Sequence, residues 1–83
     1  MNQIERIQQM ELLLDFVIEA QKEQNINDEK SARIREATRI LAEYYESDEW
    51  KQDFADDEAG LLPKDLKRGV LSEDGIWNVL DAQ

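Results

Sequence analysis

The chain has 83 residues, 20 Asp and Glu against 10 Lys and Arg, a formal net charge of −10, and neither Cys nor His. That length fits one domain with a thin core, burying roughly 60–65% of the surface its unfolded chain exposes. The composition excludes a disulfide framework, a thiolate metal site and histidine acid–base chemistry, and the charge disfavours nucleic acid and anionic membrane as direct partners.

Residues 2–24 predict a helix. Ile4, Ile7, Met10, Leu14, Val17 and Ile18 recur at helical spacing, Leu12, Leu13 and Phe16 widen the apolar stripe, and Glu5, Gln8, Gln9, Asp15, Glu19 and Lys22 fill the other side. The run ELLLDFVIEA is too short and too flanked by charge to span a membrane, and the polar N-terminus does not read as a signal peptide. A cytoplasmic protein is the expectation. Residues 24–28 carry the Asn and Asp typical of turns, and a second helix then runs to about Glu46, capped by Asn27, Asp28 or Ser31. Its stripe is Ile34, Ala37, Thr38, Leu41 and either Tyr44 or Tyr45, and Lys30, Arg33, Arg35 and Arg39 make it the one basic element.

Ser47 is placed to cap a third helix with Asp48 and Glu49 in its first turn and Gly60 as its stop. Trp50 and Phe54, at i and i+4, share one of its faces. Pro63 opens a short helix, PKDLKR, closed by Gly69; Ser72 caps a last one through about Leu80 that carries Trp77. Leu62, Leu66, Val70 and Leu71 plug the open end beside the tryptophans. The predicted class is all-α: an antiparallel two-helix hairpin over 1–46, closed by two or three short C-terminal helices over 47–83, in a single domain. A homo-oligomer, which would add burial, stays open.

The acidity is local. Residues 43–60 carry a net −7, residues 27–42 a net +1. The acidic block and the short segment after it supply the candidate partner surface: Asp53, Asp56, Asp57 and Glu58, then Lys64, Asp65, Lys67 and Arg68. On a short helix Lys64, Lys67 and Arg68 share one face and offset the acids before them. No calcium loop fits, because Gly60 at its sixth position puts Ala59 at the fifth and Gly75 puts Val70 at the first. Asp53 and Asp57 form only a weak i, i+4 cation pair. Ser31, Ser47 and Ser72 each have a capping role and no histidine to activate them, and no phosphate-binding loop is present. No catalytic residue, metal ligand or cofactor is expected.

The blocks EYYESDEWKQDF and DEAGLLPKDLKRGVLSEDGIWNVL resemble a family of short, acidic bacterial proteins catalogued as a domain of unknown function. Its members share a Tyr-Tyr, a Ser/Gly-acid-Trp step, an acid-rich stretch and the LPKDLKRGVLSED core. The likeness is strong over 43–80 and looser over 1–42. It implies a small helical cytoplasmic bacterial domain and carries no activity or binding residue. The functional expectation is a protein–protein interaction module or regulator that docks an unidentified, basic protein. The alternative is a nucleic-acid mimic that blocks a DNA- or RNA-binding protein.

Overall fold

The computed structural model describes residues 2–23, 25–72 and Gly75. Among them it is all-helical, with no strand: α1 (Gln3–Gln21), α2 (Asp28–Tyr45), α3 (Asp48–Glu58) and a single 3₁₀ turn, Gly69–Leu71. Of the closing helix expected over 72–80, Ser72 and Gly75 are described, with the Gly75 N–H on the Ser72 hydroxyl at 3.3 Å; the rest, with Trp77, lies outside the described residues.

Each α-helix starts on a side-chain oxygen. Asn2 accepts from the Glu5 N–H, Asn27 from that of Lys30, and Ser47 from that of Trp50, so one orphan donor per helix is satisfied. Of the three capping residues open for α2, Asn27 fills the role. The Ser47 hydroxyl also donates to the Tyr44 carbonyl at 2.6 Å, so one side chain closes α2 and opens α3. Gly60, at φ 74°, ends α3: its N–H bonds the Asp57 carbonyl and that of Leu61 the Asp56 carbonyl. This paired closure needs the left-handed conformation glycine supplies at little cost.

Burial follows the 3.6-residue period. Ile7, Leu14 and Val17 of α1 pack with Ala37, Leu41 and Tyr44 of α2, and Trp50, Leu62, Val70 and Leu71 close the same core; Ala20 and Ile34 are buried as well. Arg6 and Met10 near the start of α1 adjoin Ile40 and Tyr44 late in α2, whereas Phe16 adjoins Lys30 and Arg33 at its start. Trp50 stacks on Phe54 (centroids 5.1 Å apart) and meets Tyr45 in a T-shaped pair, and its indole N–H donates to the Val70 carbonyl at 2.7 Å. Tyr44 is therefore the core tyrosine and Tyr45 a half-buried flank.

Two expectations are corrected. PKDLKR is no helix: it makes a single turn, with the Leu66 N–H on the Pro63 carbonyl. Six residues gain too little from helical bonds to offset nucleation, and the Arg68 guanidinium takes the carbonyls of Pro63, Lys64 and Leu66 instead. Leu12, placed on the apolar stripe, is 63% exposed, while Glu11 beside it is buried. Its carboxylate accepts the Val70 N–H at 2.6 Å, and a Cβ at Gly69 would lie 3.1 Å from that carboxylate, so α1 and the 3₁₀ turn meet closely there.

Nothing lies within 4 Å of a Cβ built at Gly60, so Gly60→Ala isolates the backbone term. The expected cost is about 1–2 kcal/mol, read as a lower urea midpoint at an unchanged slope.

Candidate functional site

The first of the predicted surface acids, Asp53, is not on the surface. It is completely buried. It sits one turn after Trp50, and packing that indole into the core carries the carboxylate in with it. Burial of an isolated carboxylate is prohibitive, and four hydrogen bonds make it tolerable. Arg6 donates through Nε to Oδ2 (3.0 Å) and through Nη2 to Oδ1 (2.6 Å), Gln3 Nε2 donates to Oδ1 (3.0 Å) and the Tyr44 hydroxyl to Oδ2 (2.6 Å). Both oxygens are saturated. Burial by itself pushes the Asp53 carboxyl up, but the bonds from Arg6, Tyr44 and Gln3 and the Arg6 charge together hold it below the ordinary carboxylate range. The same contact raises Tyr44, first by burial and then by its bond to the Asp53 anion. This constellation is a structural lock. Arg6 was not singled out in the sequence and Tyr44 only as one of two candidates for the α2 stripe, although a core tyrosine implies a hydroxyl partner and Arg6 is the one base in the first five turns of α1.

The other acids of the block are partly compensated. Asp56 accepts from Gln3 at 2.7 Å, Asp57 pairs with Arg68, Glu49 with Arg6 at 3.2 Å and Glu43 with Arg39 at 2.6 Å. Glu58 is exposed and makes no ion pair among the described residues. Asp53 and Asp57 do not share a cation position, since each is taken by its own arginine, and among the described residues no three acidic side chains are arranged to hold a metal ion.

The basic residues do not form one face. Lys67 reaches across to Asp15 of α1 at 2.8 Å, not to α3. Arg68 turns inward, binds Asp57 and three backbone carbonyls, and holds the 61–68 segment in shape. A planar donor fork suits that task better than a lysine would. Lys64 and Asp65 are exposed and engage no charged partner among the described residues.

What the structure adds is a groove. The 61–68 segment passes beside α1, and between them lies an open depression of about 520 Å³ lined by Ile4, Gln8, Leu12, Pro63, Leu66 and, at one end, the Asp15–Lys67 pair. Ile4 is 38% and Leu12 63% exposed there, and Leu61 at the loop's start is 72% exposed. From the four candidates beyond α3, Asp65 and Lys67 line this groove, Lys64 is in the same loop, and Arg68 supports it from within.

The family described as Domain of unknown function (DUF4298) matches residues 7–83, and the chain belongs to that family. No curated protein and no solved structure matches the chain.

Asp53→Asn leaves Arg6 facing a neutral amide and is expected to cost about 3 kcal/mol; Tyr44→Phe, which vacates one acceptor site, about 1–2 kcal/mol. The Asp53 shift stabilises the fold above the unfolded carboxyl pKa and is lost as pH falls through the lowered folded value, below about pH 4. Tyr44, raised on folding, stabilises it below the unfolded phenol pKa and loses that contribution above about pH 10. Urea midpoints measured from pH 7 to pH 3 should therefore fall more steeply for wild type than for Asp53→Asn.

Proposed function

We propose that this member of the family is a protein–protein interaction module, a binding protein and not an enzyme, working in the bacterial cytoplasm. One observation carries the reading. The 61–68 segment is not a helix and is tied down by Arg68, yet it turns Leu61, Lys64 and Asp65 outward. Side chains so placed add little to the core, and a loop of fixed shape carrying apolar and charged groups suits recognition. The candidate partner surface accordingly reduces to Lys64, Asp65 and Lys67 of the loop and, on α3, Asp56 and Glu58. Asp53, Asp57 and Arg68 serve the fold.

The reading takes α1 and α2 as an antiparallel hairpin that serves as scaffold. In support, the start of α1 adjoins the end of α2, and Glu23 just after α1 pairs with Lys30 at the beginning of α2. The lack of Cys, which leaves no disulfide to form, fits a reducing compartment. No helix among the described residues is long and apolar enough to cross a membrane.

Against a nucleic-acid mimic stands the pairing within the acidic block. Arg6, Arg39 and Arg68 interrupt the charge at Glu49, Glu43 and Asp57, where a mimic needs uninterrupted negative charge.

Affinity capture from host lysate at moderate salt tests the module. A stoichiometric protein held by wild type and lost with the charge-swapped Lys64→Glu/Asp65→Lys chain, folded by circular dichroism, is the expected result. An identical set of proteins on both chains would remove the loop from the reading, and release of the captured protein by added DNA would favour the mimic.

A further inference from the structure

We infer that the groove between α1 and the 61–68 segment receives one face of a cationic amphipathic helix from a partner protein. The inference rests on the interaction-module reading and names its contact surface and the partner's chemistry.

Three observations carry it. Ile4 and Leu12, the exposed apolar residues of α1, both line the groove, with Pro63 and Leu66 opposite. They stand eight residues apart, about 12 Å along the helix axis, which matches anchors at i and i+7 or i+8 on one face of a partner helix. Secondly, past its first turn α1 offers no free backbone groups along this stretch, because its N–H and C=O groups bond within the helix. An extended peptide would find no backbone ladder to join, so recognition falls to side chains, the mode in which a helix lies in a groove. The Gln8 amide, inside the groove, is left to hydrogen-bond the occupant.

The third observation is charge. Glu5, Asp15 and Glu19 recur along the side of α1 that carries Leu12, Asp65 stands on the opposite wall, and Lys67, the one base lining the groove, is engaged by Asp15. The groove sets apolar side chains (Ile4, Leu12, Pro63, Leu66) beside acidic ones (Glu11, Asp15, Asp65), which selects a helix with Lys or Arg flanking its apolar stripe. A second copy of this chain is a poor occupant, because each carries −10 and the two repel.

The test uses the full chain, ¹⁵N-labelled, and a synthetic 18-residue helical peptide with Leu at i, i+4, i+7 and i+11 and Lys elsewhere. Amide shifts are expected to concentrate at Gln8, Leu12, Asp15 and Leu66. The same peptide with Glu replacing Lys should bind at least tenfold more weakly. Leu12→Ser should weaken the Lys peptide at least tenfold, and Leu61→Ser, outside the groove, should leave it unchanged. Shifts that map to the acids of α3, or equal affinity for wild type and Leu12→Ser, would overturn the inference, as would Leu12-dependent self-association in sedimentation, which would make a second copy the occupant. A protein captured through Lys64 and Asp65 that still binds Leu12→Ser at full strength would overturn the groove alone and leave the module reading standing.

Discussion

A carboxylate with no water around it has to be met by donors from every side, and the Asp53 carboxylate draws its donors from three helices at once. Arg6 and Gln3 come from the first turn of α1, Tyr44 from the last turn of α2, and Asp53 itself from the middle of α3. None of the three helices can shift without leaving a buried charge or a buried hydroxyl unpaired, and the penalty for that exceeds the net gain of an ordinary hydrogen bond. An apolar contact among the same helices could slide to a neighbouring register. The charged one has a single geometry, which suits a core with few large side chains.

A second polar tie runs through Trp50. The Glu11 carboxylate holds the Val70 N–H, and the Val70 carbonyl holds the Trp50 indole, so the 3₁₀ turn is fastened through one residue to both α1 and α3. With Arg68 knitting the preceding loop, the 61–71 segment keeps a fixed path although only three of its residues are helical. That path creates the groove. Arg68 ties the loop to Asp57 and to the loop's own carbonyls, Glu11 holds its far end at Val70, and among the described residues Leu12 is left exposed.

The charge of the chain acquires a different meaning once it is distributed. Much of the −7 block is turned to internal use: one carboxylate is sealed in the core, and others fix Arg6, Arg39 and Arg68. Exposed pairs of this kind add little stability singly. The acidity left facing outward lies along α1 and the loop as well as on α3, which turns attention from the densest run of acids to the face where acids surround apolar side chains.

Local features were legible in the residues by themselves. Ser47 and Asn27 begin helices because their side chains reach the N–H three residues on, Gly60 ends one because it alone tolerates the left-handed turn, and Trp50 and Phe54 stack because i and i+4 share a face. The family resemblance at EYYESDEW and LPKDLKRGVLSED was equally a property of the sequence. The fate of each charge was not. Asp53 and Asp56 look alike as letters, and what separates them is that Arg6, 47 residues away, arrives beside one of them. Leu12 departs from its expected place on the buried stripe for a similar reason: the Val70 amide, 59 residues on, finds its acceptor in Glu11, and among the described residues Leu12 is left exposed. Periodicity and capping act over three or four residues, and so the chain states them directly. Desolvation and pairing depend on what comes from far along the chain, and only the tertiary structure decides them.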